Sequence, residues 1–358
     1  MKIDLQAVHP SLLIHKLGLH ALILEKPGNA SLSIGKPENN GYIGDKRTVL
    51  DALTRSVQDD NFRNIYDIFY NQKWLKYLEE TGALKLEAKT GSRFISGLSY
   101  GAAMHVGFSL HHTYGVPYIP GSSVKGACKA IAMMEAKESP EEDKTKQLKL
   151  INEIYGGDEG SNGEVIFLDA FPVPLTKKNS LLLDLDVITP HHTKGNSNEK
   201  GYGTSPDIEE PVPVEFAVVP EGISFTFAFI CQNDENKNIE YRKQVAAHWQ
   251  LACEEGFGAK TSSGYGYFEL YRETKDIIKK LDPQAVMKDF KAYVLTNKSQ
   301  LNNVLEKCVK YITENELPAE TQKEMATFLV ENLGAKTLKK KGKKGSEAAL
   351  DLERLWRA

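Results

Sequence analysis

The sequence predicts an α+β fold, on three observations. Ile223, Phe225, Phe227 and Phe229 alternate strictly, the period of a strand with one apolar face. Val124, Ala127, Cys128 and Ile131 recur at i, i+3, i+4 and i+7, the period of a helix. Strand and helix signals interleave between about residues 91 and 273, and beyond that only helical ones remain.

Residues before about Gly41 carry the loop signals Lys26-Pro-Gly-Asn29 and Lys36-Pro-Glu-Asn-Asn-Gly41 around short apolar pieces. From about Val49 to Glu80 the pattern is helical. Phe62, Tyr66, Phe69, Tyr70 and Trp74 recur there at roughly helical spacing, which predicts a packed face. Arg93–Leu98 reads as a first strand and Phe108–Tyr114 as an accessory one. A helix is expected from Ser122 to Lys137, then a buried strand at Val165–Leu168. After the Ile223–Phe229 strand, Tyr241, Val245, Trp249, Ala252 and Cys253 trace a second amphipathic helix. It stops at Gly256, a C-terminal breaker. Tyr265–Tyr271 alternates again as a closing strand.

The order is strand, helix, strand, strand, helix, strand, the ferredoxin-like (RRM-type) arrangement, whose four-stranded sheet is a common platform for RNA. Residues 173–220 form a loop-rich insertion between the middle strands, and 190–213 are expected to be mobile. Helices follow near 283–295, 299–313 and 319–332, then a lysine-rich linker and a short last helix. The expected organisation is an N-terminal segment (1–90) packing on the core, the α+β domain (91–273) and a helical C-terminal extension (274–358).

With 41% apolar residues the chain can build a proper core. Its net charge of −3 excludes a bulk polycation, so binding to nucleic acid must use local patches. Cys128, Cys231, Cys253 and Cys308 form no CxxC pair and read as reduced core residues in a cytosolic protein. No basic-then-apolar leader begins the chain, and no apolar run approaches the ~18 residues of a membrane span, so no signal peptide and no membrane partner are expected.

Two glycine-rich turns stand out. Gly115-Val-Pro-Tyr-Ile-Pro-Gly-Ser-Ser-Val-Lys-Gly126 opens a helix; Gly256-Phe-Gly-Ala-Lys-Thr-Ser-Ser-Gly-Tyr-Gly266 closes one. Glycine allows tight turns and close approach to a ligand, and amides at a helix start suit an anion. The first turn lacks the spacing of a Walker loop, and the second reverses the strand–loop–helix order of a dinucleotide fingerprint. Ser122 or Ser123 is an expected N-cap. Lys125 and Lys129 lie one turn apart, away from the apolar face. Lys260, Thr261, Ser262 and Ser263 add a cation and three hydroxyls, partners for phosphate and ribose. Tyr265 and Tyr267 suit base stacking or packing on the sheet.

Other motifs say less. The pairs His111-His112 and His191-His192 point to opposite sides of an extended chain, so neither chelates a metal by itself. Asp184 and Asp186 share one face of a strand, suited to solubility or to a metal. Lys336–Lys344 holds six lysines in nine positions, suited to a solvated, flexible linker or to phosphate contact.

Arg93-Phe-Ile-Ser-Gly-Leu98 and the two glycine-rich turns resemble the signatures of the RAMP superfamily of CRISPR-associated proteins. Val165-Ile-Phe-Leu-Asp-Ala-Phe-Pro172, Asp186-Val-Ile-Thr-Pro-His-His192 and Pro211-Val-Pro-Val-Glu-Phe216 resemble one branch more narrowly. That branch supplies the sixth subunit of the type III-B Cmr RNA-targeting complex. The resemblance spans about Arg93 to Tyr271. It implies a cytoplasmic, non-catalytic subunit at the 3′ end of a CRISPR guide RNA, without cofactor or metal. The implied partners are guide RNA, the target RNA paired with it, and other Cmr subunits: a backbone RAMP, a small helical subunit and a second RAMP cap. The RNA-binding residues expected are Arg93, Ser122, Ser123, Lys125, Lys129, Gly256, Gly258, Lys260, Thr261, Ser262, Ser263, Gly264, Tyr265 and Gly266. Lys129 stands near where the family helix often has arginine, and lysine lacks the forked geometry. The alternative implied by other RAMP relatives is an endoribonuclease that cuts CRISPR repeat RNA by metal-independent histidine chemistry.

Overall fold

The computed structural model describes residues 2–4, 31–33, 53–54, 60–98, 108–157, 161–175, 182–189, 213–231, 235–314, 317, 319–343 and 345–357. His191 and His192, the 190–212 part of the stretch expected to be mobile, and Lys344 lie outside them. The chain divides into two units, Met1–Gln232 with His248–Tyr271, and Asn233–Ala247 with Arg272–Ala358.

The first unit is built on an antiparallel sheet. Its strands are β3 (Leu84–Thr90), β4 (Val165–Phe167), β5 (Phe171–Pro172), β8 (Ser224–Cys231) and β9 (Phe268–Leu270). Two short pairs stand outside this sheet: β1 (Lys2–Asp4) with β2 (Ser31–Ser33), and β6 (Asp184–Ile188) with β7 (Val214–Val218). The strand order is β4-β8-β3-β9, with β5 continuing β4 along the edge of β8. Helices α3 (Gly121–Glu138) and α4 (Glu141–Tyr155) lie between β3 and β4 in the chain, and α5 (Glu235–Glu255) between β8 and β9. The expected order of strands and helices is therefore present, with the first and third core strands central.

One expectation is corrected here. The first strand is Leu84–Thr90, not Arg93–Leu98. Leu84, Leu86, Ala88 and Thr90 are all buried, an alternation that fits a strand. The Arg93–Leu98 segment cannot join a ladder because its hydrogen bonds scatter. Phe94 exchanges bonds with Val219, the Ile95 carbonyl accepts from Ala259, and the Ser96 carbonyl accepts from Ser109. It is a strap across the domain.

Both faces of β8 are covered. Phe225, Phe227 and Phe229 meet Trp249, Phe257 and Phe268 on one face, with ring centroids 5.1–6.5 Å apart. Each such buried aromatic contributes about 1.5–3 kcal/mol by transfer from water. The other face receives α1 (Asp60–Ile68), a π-helical turn (Phe69–Trp74) and α2 (Leu75–Glu80). Tyr70 Oη bonds Thr226 Oγ1 at 2.5 Å, Tyr66 Oη donates to the Pro172 carbonyl, and Phe69 and Trp74 pack on Phe171. The aromatic residues of this segment are a packed face, as their spacing predicts. Farther along that side, Lys85 pairs with Glu87 at 3.7 Å and Lys89 with Glu269 at 2.8 Å. The described part of this face carries a tyrosine cover and ion pairs, with Tyr271 bonded to Ser224 at 2.5 Å and Tyr267 exposed just before β9.

The second unit adds α6 (Arg272–Lys280), α7 (Pro283–Thr296), α8 (Leu301–Glu314), α9 (Ala319–Leu333), α10 (Ala335–Lys343) and α11 (Glu347–Arg357). Val286, Phe290, Leu305, Ile312, Met325, Leu329, Leu338 and Leu352 belong to its buried core. Pro283 starts α7 with Asp282 as cap, accepting from Gln284 N at 3.2 Å. The lysine-rich run is also corrected. Lys336–Lys343 is helical rather than a linker, because Leu338 is drawn into the core.

Candidate nucleic-acid interface

The second glycine turn is threaded against the strap. Phe257 N donates to the Gly266 carbonyl at 2.9 Å, Gly266 N to the Arg93 carbonyl at 2.8 Å, and Ala259 N to the Ile95 carbonyl at 3.0 Å. Two glycines permit this approach. A Cβ on Gly258 would sit 2.3 Å from the Ile95 oxygen, and one on Gly266 2.0 Å from the Phe257 oxygen, both at positive φ. The tip is different. Lys260 is left-handed at φ 61, Thr261–Ser263 makes one 3₁₀ turn, and Gly264 returns the chain with open space around it.

The first turn meets the second across a cleft of about 680 Å³. Ser96, Gly97 and Leu98 of the strap form one wall with Ser109. Pro120, Ser123 and Ala127 form another, and Gly256–Ala259 with Thr261 a third. Four hydroxyl-bearing residues, Ser96, Ser109, Ser123 and Thr261, line the cleft. Ser109 is 3% exposed, and its Oγ has no hydrogen-bond partner among the described residues. A buried hydroxyl without a partner costs about 1–3 kcal/mol.

The helix start is not an open anion site. Asp169, from the bulge between β4 and β5, accepts from Gly121 N at 2.7 Å, and the Pro120 carbonyl takes Ser123 N and Val124 N. The expected serine N-cap is replaced by Pro120 with Asp169 from across the sheet edge. Gly121 is there for packing, since a Cβ would meet the Phe167 oxygen at 2.1 Å. Ser122 is exposed at the helix start.

The expected cations divide. Lys260 stands at the tip of the second turn beside the cleft wall. Lys125 and Lys129 lie about 200° round α3 from Ser123 and Ala127, by two residues at 100° each. Lys129 Nζ donates to the Gly156 carbonyl at 2.9 Å, at the C-terminal end of α4, where a helix dipole favours a cation. The structure does not bring Lys125 to the cleft. Arg93 is held by Asp186, Nη1 to Oδ2 at 2.8 Å, and Tyr265 Oη donates to the same oxygen at 2.6 Å. Burial alone would raise the Asp186 carboxyl. Bonds from Tyr265 and Val187 N, with the Arg93 guanidinium, outweigh it and hold the carboxyl below its usual range. Burial and the Asp186 bond push Tyr265 up to about 12. Asp186 is therefore an internal counter-ion rather than a metal ligand paired with Asp184.

Two of the described histidines, His111 and His248, have structural partners. His111 Nδ1 accepts from Thr113 N and Tyr114 N at 3.2 and 3.4 Å, and its ring stacks on Tyr114. His248 is buried between Tyr155 Oη at 2.9 Å and Glu135 Oε2 at 3.2 Å. Burial lowers its pKa against the pull of Glu135. None of the described residues lining the cleft is a histidine. Ser96, Gly97, Ser109 and Ala127 are not among the RNA-binding residues expected from the sequence. Ser109 sits in an apolar stretch and becomes cleft wall only because its amide pairs with Ser96.

Among known proteins, residues 101–269 match the RAMP superfamily model. The CRISPR system Cmr subunit Cmr6 of Pyrococcus furiosus is 26% identical over 271 residues, covering 62% of this chain and 78% of the relative. Its counterpart from Saccharolobus solfataricus is 26% identical over 230 residues, covering 63% and 70%. Among solved structures, a chain of the type III-B Cmr-beta complex bound to cognate target RNA aligns with a TM-score of 0.47 at 26% identity, covering 63% of this chain and 71% of that one. The crystal structure of Cmr6 from Pyrococcus furiosus aligns with a TM-score of 0.35 at 26% identity, over 53% and 97%. Among the described residues, no helix is long and apolar enough to cross a membrane.

Proposed function

We propose that this chain, whose residues 101–269 match the RAMP superfamily model, is a guide-RNA-binding and assembly subunit of a cytoplasmic type III-B Cmr complex. It occupies the position of the sixth subunit, capping the 3′ end of the guide without cutting RNA itself. The sheet order supports a ferredoxin-like domain, with the helical extension from about residue 274 as a separate module. The partners are guide RNA, target RNA paired to it, and the neighbouring backbone, small helical and second cap subunits.

One observation carries the RNA reading. Two glycine-rich turns more than a hundred residues apart meet at one hydroxyl-lined cleft. The Ser123 and Thr261 hydroxyls are partners for ribose and phosphate oxygens, and Gly256 and Gly258 shape the turn, whose Gly256, Phe257 and Ala259 amides are bonded internally. Lys260 supplies charge at the rim, with Ser262, Ser263 and Gly264 at the exposed tip. Such contacts hold a backbone and carry little base information, so sequence is left to guide–target pairing. Arg93 and Tyr265 position the turn through Asp186.

The test is guide-RNA binding by the purified chain against rising salt. Lys260→Ala should lower the slope of log affinity on log salt by about 0.7, one phosphate contact on a single strand. A guide with 2′-deoxy sugars at its 3′ end should bind more weakly. Unchanged slope and equal affinity for both guides would remove the cleft from the RNA path. Specific cleavage of repeat RNA in EDTA would instead favour the endoribonuclease reading.

A further inference from the structure

We propose that helix α10 is a second, sequence-independent RNA-backbone contact, separate from the cleft and outside the RAMP-matched segment. The helix has two distinct sides. At 100° per residue, Lys336, Lys339 and Lys340 fall within an arc of about 100°. All three are exposed. Leu338 lies about 200° round from Lys336 and is 1% exposed in the helical core. On that inner side too, Lys341 Nζ donates to the Asn302 carbonyl at 3.0 Å, and a Cβ on Gly342 would rest 3.5 Å from Leu350. The inner side fixes the helix, so the three lysines are presented as a set. Among the described residues, no carboxylate lies within ion-pair distance of any of them.

The chemistry of this face selects its partner. Its charge is concentrated in a chain whose net charge is −3. A membrane-surface helix needs an outward apolar face, and the large apolar side chain of α10 points inward. A protein partner would be anchored by a buried aromatic or aliphatic group, and the lysine face offers none. Lysine is a point charge on a flexible stem, suited to phosphates without fixed geometry. A phosphodiester chain, which gains affinity for each charge neutralised, fits these properties.

The experiment uses the full chain and a long, unstructured single-stranded RNA. The triple change Lys336→Gln, Lys339→Gln and Lys340→Gln should lower the salt slope by about 2, three contacts at ~0.7 each. Arginine at the same three positions should keep the slope. Circular dichroism checks that both variants retain their helix. The loss should add to that of Lys260→Ala, which separates this contact from the cleft. An unchanged RNA slope in the glutamine variant overturns the proposal. So does loss of binding only to phosphatidylserine vesicles, or only to the other Cmr subunits.

Discussion

Substituting alanine at four glycines should give three graded outcomes set by geometry. At Gly266 the change forces a side chain to φ +83 and places Cβ 2.0 Å from the Phe257 carbonyl oxygen. The left-handed backbone costs about 1–2 kcal/mol for a non-glycine residue. Relieving the clash parts two backbone bonds, Phe257 N to the Gly266 carbonyl and Gly266 N to the Arg93 carbonyl. At ~1 kcal/mol each the total is roughly 3–4 kcal/mol. Gly258, with Cβ 2.3 Å from the Ile95 oxygen, belongs to the same class. Gly264 has φ +88 but nothing within 4 Å, so only the ~1–2 kcal/mol backbone term applies. Gly126 sits in helix α3, exposed and with open space, so alanine there should stabilise by about 0.5–1 kcal/mol. Urea unfolding followed by tryptophan fluorescence reads these costs, because Trp249 is buried against Phe227. Near the melting point, about 2–4 °C per kcal/mol separates Gly266→Ala from Gly264→Ala by roughly 4–8 °C. If those two variants unfold together, backbone contact does not hold the turn on the strap, and the account of the cleft fails with it.

Three further outcomes are expected. The Asp186 carboxyl titrates below its ordinary range, so its stabilising effect is complete above about pH 4 and is lost as pH falls through the folded value. The stability gap between the wild type and Asp186→Asn should therefore close on acidification; a gap constant from neutral to strongly acid pH would contradict the Arg93–Asp186–Tyr265 junction. Asp169→Ala leaves Gly121 N without its acceptor and should cost about 1 kcal/mol in urea unfolding, with faster hydrogen exchange at the start of α3. Exchange equal to wild type there would show that the carboxylate is not the cap. Tyr70→Phe removes the bond to Thr226 and should cost about 1 kcal/mol without altering RNA binding, whereas reduced RNA affinity would mean that this side of the sheet takes part after all.

Much of the fold was legible because local patterns coincide with what tertiary packing rewards. The strand at Ile223–Phe229, the helices on either side of it and the C-terminal helices all carry strong period signals. Two errors share one cause. Arg93–Leu98 is apolar and short, and nothing local says that its hydrogen bonds scatter to Val219, Ala259, Gly266 and Ser109. The lysine run reads as a linker until Leu338 finds a core that other helices supply.

For the site, the residue order by itself determined that two glycine-rich turns with hydroxyls and lysines flank the helices of an α+β domain. Glycine at positive φ and serine in a turn are local choices, so they show in a one-dimensional string. Which of those groups face each other is set by contacts between distant segments. Only the folded chain decided that Ser123 shares a cleft with Thr261 and Ser109, that Lys129 is spent on the end of α4, that Asp169 accepts from Gly121 N, and that Asp186 pairs with Arg93. A side chain's partner depends on where two remote backbones cross, and that crossing has no local signature.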